Sequence, residues 1–313
     1  MTPTIETRGL TKRYGSTVAV DDLSLAVRPG LITGFVGPNG AGKTTTMQLV
    51  LGLAHPDRGA ALVDGRPYRT IARPLRTVGA LLDAGSLQPS RSARNHLVWL
   101  ARSNGIPPAR ADEVLALVGL SGVRGRRARA LSLGMRQRLG VAGALLGDPP
   151  ILLLDEPTIG LDPEGIQWIR ELLRALAAEG RTVLVSSHLM SELEGTADHL
   201  IVIGRGRLLA DVSVAELLAD ASDGGVEIRT PDTAAAMTVL ANAGATVTSN
   251  GRESVAVAGM PAARVATVLA SHGVQLDGLE TTRATLEEAY FRLTRGAGEH
   301  AGRALAHSER GAT

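Results

Sequence analysis

The sequence predicts an α/β fold for residues 1–221, a parallel sheet layered between helices, followed by a smaller α+β unit. Three observations carry this. Ile151–Leu154 and Thr182–Ser186 are continuous apolar runs, each followed by a helical pattern, as expected of parallel strands buried on both faces. Leu31–Val36 runs into the glycine-rich stretch Gly37–Thr45 and then the helical-looking Thr45–Leu53. Asp155 and Glu156 stand at the end of an apolar strand, where a carboxylate is costly unless something pairs with it.

The elements follow in order. Thr4–Leu10, Val18–Val27 and Leu31–Val36 alternate as short strands, with the turn Arg28-Pro29-Gly30 before the third. Ala61–Val63 and Thr77–Leu81 read as further strands. The pattern then turns helical over Ser92–Asn104, Pro108–Val118 and Gly134–Leu146, giving a helical subdomain of about residues 85–147. Ser222-Asp223-Gly224-Gly225 reads as a linker. Beyond it come strand Val226–Thr230, helix Thr233–Ala243, strands Thr246–Ser249 and Ser254–Val257, helix Pro261–His272 and strand Val274–Glu280. That is the split β-α-β order of a ferredoxin-like unit, which with a closing helix Thr285–Thr294 fills residues 222–295. The small, polar tail 296–313 is expected to be disordered.

Residues 37–45 fit G-x-x-x-x-G-K-[ST] in the strand–loop–helix setting that the pattern needs. Gly37, Gly40 and Gly42 let the backbone curl until successive N–H groups converge on an anion, with Pro38, Asn39, Ala41 and Thr45 completing the nucleotide-binding stretch. Lys43 would neutralise the β- and γ-phosphates of ATP, and the Thr44 hydroxyl would ligate Mg²⁺. Of 33 basic residues only Lys12 and Lys43 are lysines, so a lysine inside this loop points to a need for a compact charge. Asp155, 112 residues after Lys43, would serve as the metal-side carboxylate, and Glu156 would polarise the attacking water. His188 lies just past an apolar strand, at the sheet edge where ligands collect in such folds.

A formal charge of +2 gives no polyanion-binding surface, and nucleic acid is not an expected partner. The absence of cysteine excludes disulfides and cysteine-ligated metals, and suits the cytosol. Met1–Leu10 lacks the apolar core of a secretion signal, and Thr233–Gly251 is too broken by polar residues to span a membrane.

Further motifs give the chain a family resemblance. Leu131-Ser132-Leu133-Gly134-Met135, Ile159-Gly160-Leu161-Asp162 and His188 fall in the order found in the ATP-binding subunits of ABC transporters, which this sequence resembles from Tyr14 to His188. The resemblance implies that Tyr14 stacks on adenine, that Ser132, Gly134 and Met135 form the signature loop, that Asp162 belongs to the D-loop and that His188 is the switch histidine. Two positions depart from the usual pattern. Met135 replaces the signature glutamine, and Asp83 stands where a glutamine usually contacts Mg²⁺ and senses the membrane partner. A carboxylate can still ligate Mg²⁺, but it donates no hydrogen bond unless protonated.

The Ser-Leu-Gly-Met-Arg-Gln form and the ending Thr285-Leu286-Glu287-Glu288-Ala289-Tyr290 resemble the ATPases of drug and antibiotic exporters of the bacitracin and daunorubicin type. The family pattern implies a dimer with a second copy or a paralogous ATPase subunit, each ATP lying between the phosphate loop of one subunit and the signature loop of the other. It also implies a separately encoded integral membrane permease, gripped near Asp83 and Gly85–His96, with the chain peripheral on the cytoplasmic face of the plasma membrane. The alternative is a soluble ATPase of the same superfamily acting on ribosomes or DNA. Such proteins usually carry two ATPase domains or a long coiled-coil insertion, neither of which is read in this sequence.

Overall fold

Strands buried at every position need cover on both faces, and the two that flank the candidate site are of this kind. The computed structural model describes residues 4–83, 85, 87–221, 225–281 and 285–293. Its first strands are β1 (Ile5–Tyr14), β2 (Thr17–Val27), β3 (Ile32–Val36), β4 (Arg58–Val63) and β5 (Val78–Leu81). They are followed by β6 (Ile151–Asp155), β7 (Thr182–Ser187), β8 (His199–Gly204) and β9 (Arg207–Ser213). One sheet has the order β5-β6-β7-β3-β8-β9, parallel except for the β8–β9 hairpin. Every residue of β3, β6 and β7 is buried.

The parallel sheet agrees with the expectation; the placing of the first strands refines it. β1, β2 and β4 form a separate antiparallel sheet in the order β2-β1-β4. Helix α1 (Lys43–Val50) packs into a core where Met47 meets Leu10, Leu23, Phe35 and Leu153, all fully buried. Alternation in β1 and β2 gives one face to this core and the other to solvent, which a strand inside a doubly covered sheet could not do.

Short α2 (Pro74–Thr77) precedes β5, and the helical subdomain holds α3 (Ala93–Ser103), α4 (Arg110–Leu117) and α5 (Leu133–Leu145). Ser92 caps α3 by accepting from Asn95 N–H at 3.2 Å, and Ser132 caps α5 through Met135 N–H at the same distance. Helix α6 (Pro163–Ala178) follows β6, and short α7 (Met190–Leu193) follows β7. Among the described residues no helix is long and apolar enough to cross a membrane.

The chain divides into two compact units, Met1–Ser213 and Val214–Thr313. The division falls ahead of the predicted linker because α8 (Val214–Ala221) belongs to the second unit, where the Arg292 guanidinium donates to Ala221 O at 2.9 Å. Ser222–Gly224 of that linker lie outside the described residues. The second unit contains β10 (Val226–Arg229), α9 (Thr233–Asn242), β11 (Thr246–Ser249), β12 (Ser254–Ala258), α10 (Ala262–Ser271) and β13 (Gly278–Thr281). Its strands pair antiparallel in the order β11-β12-β10-β13, with Ile228, Leu240, Val255, Val265 and Leu269 fully buried. The last strand starts later than the predicted Val274, because Val274 N–H still closes α10 on Leu269 O at 3.0 Å. Residues 286–293 are helical behind a reciprocal cap, in which Glu288 N–H donates to Thr285 Oγ1 and Thr285 N–H to Glu288 Oε2. The predicted disordered tail, 296–313, lies outside the described residues.

Candidate nucleotide site

The phosphate loop is shaped by glycines that admit no side chain. Gly42, at the N-cap of α1, has φ +103°, and a Cβ there would lie 2.4 Å from Ala19 O. A Cβ on Gly37 would come equally close to Ile203 O. The β8–β9 turn supports the loop from below: Gly206 N–H donates to Ala41 O at 3.0 Å, and Gly206 O accepts from Asp21 N–H at 2.9 Å. Asn39, Gly40, Ala41, Gly42, Lys43, Thr44 and Thr45 line a cavity of about 370 Å³ with Thr17–Ala19 and Glu156. Gly37 and Pro38 sit beneath it, their carbonyls accepting from the Lys43 ammonium at 2.7 and 3.5 Å. Tyr14 is half exposed at the rim, paired in register with Thr17, and the Lys12 ammonium lies 5.4 Å from its ring centroid.

The register of β6 on β7 delivers the acidic groups to this cavity. Asp155 pairs with Ser186, whose hydroxyl donates to Asp155 Oδ1, while Asp155 Oδ2 accepts from Thr44 Oγ1 at 2.5 Å. Glu156 N–H donates to Ser186 Oγ at 2.9 Å. The Glu156 carboxylate then faces two bases: Oε1 lies 3.6 Å from the Lys43 ammonium and Oε2 lies 2.8 Å from His188 Nδ1. Thr44 and Asp155 offer a hydroxyl and a carboxylate oxygen within hydrogen-bond reach of each other, a hard-oxygen donor set that fits Mg²⁺. Among the described residues no group of three His, Asp or Glu could cage a metal. Two protein oxygens suit an ion that keeps water and substrate phosphate in its shell.

The signature residues lie elsewhere in the chain. None of Ser132, Gly134, Met135 and Asp162 lines the cavity. A Cβ on Gly134 would stand 2.8 Å from Gly160 O, so the signature loop rests on the Ile159–Asp162 segment. Asp162 caps α6, accepting from Gly165 N–H at 2.8 Å. Leu133 and Ile159 are both 46% exposed, which leaves this region with an uncovered apolar rim.

Asp83 is brought to the right edge of the sheet but not into the cavity wall. Leu81, the last residue of β5, pairs with Leu154 of β6; Asp83 follows two residues later, and its carboxylate accepts from Gly85 N–H at 2.6 Å. In the expected permease-gripping segment, Arg94 forks onto Asp112 with two bonds of 2.8 Å. Arg91 lies over the Trp99 ring, 4.3 Å from its centroid.

Sequence reasoning missed Ser186 and Gln137. Ser186 holds both Asp155 and the Glu156 backbone, and Gln137 Nε2 donates to Glu156 O at 3.0 Å. A serine in an apolar strand two positions before a histidine was a visible signal for the first. Nothing in sequence separation hinted at the second. The β8–β9 hairpin was also missed, although Leu200–Ile203 is an apolar run ending at Gly204-Arg205-Gly206.

Comparison with known proteins adds to this geometry. The ABC transporter family model matches residues 20–159, and a domain of unknown function (DUF8746) matches residues 224–287. The bacitracin transport ATP-binding protein BcrA of Bacillus licheniformis is 43% identical over 215 residues, 68% of this chain and 70% of that one. The Nod factor export ATP-binding protein I of Ralstonia nicotianae is 37% identical over 302 residues, 94% of either chain. Among solved structures, the ATP-binding subunit of an ABC transporter superposes with a TM-score of 0.63 at 25% identity, covering 69% of this chain and 92% of its own. A dimeric cassette, MJ0796 bound to ADP and Pi, shares the fold with a TM-score of 0.62 at 24% identity over 67% of this chain and 98% of its own. A phosphate loop facing an Asp-Glu pair and a histidine, with relatives that match most of their own length, identifies this chain as a member of the ABC transporter family, one of its ATP-binding and ATP-hydrolysing subunits.

Proposed function

We propose that the chain drives export of a drug, antibiotic or other small amphipathic molecule through a separately encoded permease, hydrolysing ATP as a head-to-tail dimer on the cytoplasmic membrane face. The exporter reading is supported by similarity to proteins named for bacitracin transport and Nod factor export. The observation that carries the shared-site reading is a separation within the chain. Lys43, Thr44 and Glu156 wall the cavity, while Ser132 and Gly134 do not, so a second copy would supply them.

In this reading Lys43 compensates the γ-phosphate charge, and the backbone N–H groups of Asn39–Thr45 hold the phosphate chain. Tyr14 at the rim offers a face for adenine. Thr44 and Asp155 would hold Mg²⁺, which when bound offsets charge on the phosphate oxygens. Asp83, two residues beyond the end of β5, is the third candidate ligand. Glu156 takes a proton from water as its oxygen bonds the γ-phosphorus and the β–γ bridging P–O bond breaks. His188, 2.8 Å from the Glu156 carboxylate, keeps it aimed at that water.

The test mixes two inactive variants. Ser132→Arg and Lys43→Ala subunits are each expected to hydrolyse ATP poorly alone. Their mixed dimer contains one composite site with both loops intact and should regain turnover. A mixture no more active than its parts would defeat the shared site.

A further inference from the structure

We infer that Gln137 is a positioning residue for Glu156, so that the helix carrying the signature loop also sets the conformation of the same chain's own general base. The inference rests on Glu156 being that base. Glu156 has φ +48°, in the left-handed region, and it precedes Pro157. A side chain disfavours that region, and a following proline restricts the preceding residue to extended backbone. Such a conformation costs of order 1–3 kcal/mol and persists only when its surroundings over-determine it.

Two side chains from distant segments hold it. On one side Glu156 N–H donates to Ser186 Oγ at 2.9 Å. On the other Gln137 Nε2 donates to Glu156 O at 3.0 Å, and the same carbonyl accepts a weaker local bond from Ile159 N–H at 3.3 Å. Only the amide nitrogen of Gln137 can donate to a carbonyl, so its orientation is fixed by the partner. Gln137 is 4% exposed, which makes the bond costly to replace with water.

Gln137 lies on α5, whose first turn is capped by Ser132. A rigid helix thus joins the signature end to the Glu156 backbone. Any movement of α5 when Ser132 engages nucleotide on the opposing subunit would be felt at this carbonyl, and so at a carboxylate that reaches only 2.8 Å to His188. The physical content is alignment: losing the clamp lets Glu156 relax toward extended backbone and turns its carboxylate away from the γ-phosphate.

The test uses the full chain with Gln137→Met, which keeps the length and removes the donor, and Gln137→Glu, which keeps the shape and faces the carbonyl with an acceptor. Both are expected to lower kcat about ten- to a hundred-fold, the cost of a misaligned reacting group. KM and the affinity for a non-hydrolysable ATP analogue should stay within about twofold, since no phosphate contact is touched. In single-turnover assays, Gln137→Met added to Glu156→Gln should cause no further loss, because the clamp acts only through the base. Wild-type kcat in the Met variant, or equal losses of kcat and analogue affinity, would overturn the inference, as would a further loss on the Glu156→Gln background. If Glu156→Gln alone kept near-normal turnover, the assignment of the base would fail instead, whatever Gln137 does.

Discussion

The two units of the chain handle polar groups in opposite ways. In the first, β3, β6 and β7 are buried along their length, and the charged and catalytically placed polar groups gather where β6 and β7 stop: Asp155, Glu156, Ser186 and His188. In the second, alternation puts Glu227, Arg229, Ser254 and Glu280 along one open face of the sheet. There Glu227 accepts from Ser254 Oγ at 2.6 Å and Asn250 Nδ2 at 3.3 Å, bonds that hold its carboxyl below the usual range. Parallel strands covered on both faces push function to their ends, where several loops can converge on one point. An antiparallel sheet with an open face spreads its polar groups and settles them with neighbours. Convergence, not polarity, marks the site.

The largest effect expected from breaking this contrast is at Glu156. Glu156→Gln should retain ATP binding and lose turnover by about 10²–10⁴-fold, the range for removing a general base. Phosphate release measures the loss, and light scattering at high ATP should detect a trapped dimer. Lys43→Ala comes next. It removes a buried ammonium that two carbonyls and Glu156 surround, and calorimetry should find ATP affinity at least about a hundred-fold weaker, near 3 kcal/mol. Equal reversals at Glu227 or Arg229 should leave both measurements unchanged.

A third experiment tests the independence of the units. Leu269 is fully buried in the second unit's core, and Leu269→Ala should destabilise that unit by about 2–5 kcal/mol. If the units are separate, denaturation should show an earlier transition while ATP affinity holds. A parallel fall in affinity would join what the contrast separates.

The smallest effect concerns His96, which desolvation, and then the charge of Arg91, hold below the ordinary value of 6.5. The neutral imidazole is the folded form, so the unfolded chain protonates first as pH falls and stability is lost below about pH 6.5. His96→Gln should make the melting midpoint less sensitive to pH between 7 and 5, read by thermal denaturation.

Much of the site was legible because its chemistry is local in sequence. Gly37–Thr45 and Asp155-Glu156 each stand out as short motifs, and the structure brings them together through the Thr44–Asp155 hydrogen bond and the Lys43–Glu156 contact. What stayed hidden depends on strand register and helix packing. Ser186 faces Asp155 only because β6 and β7 pair in that register, and Gln137 reaches Glu156 only across the junction of α5 with the sheet edge. The separate sheet of β1, β2 and β4 was equally hidden, because alternation reports a half-buried strand without saying which sheet owns it.

The turn beneath the phosphate loop has a consequence for how such a chain can change over generations. Gly206 supports Ala41 and accepts from Asp21 through main-chain atoms alone, and a Cβ on it would approach Ala19 O to 2.9 Å. Arg205 beside it is also left-handed, at φ +51°. Except at Gly206 itself, this support does not depend on which side chains surround it; it depends on spacing. A single inserted or deleted codon between Gly204 and Arg207 would therefore shift the donor off Ala41 O and remove the support beneath the loop without altering any of the loop's own residues.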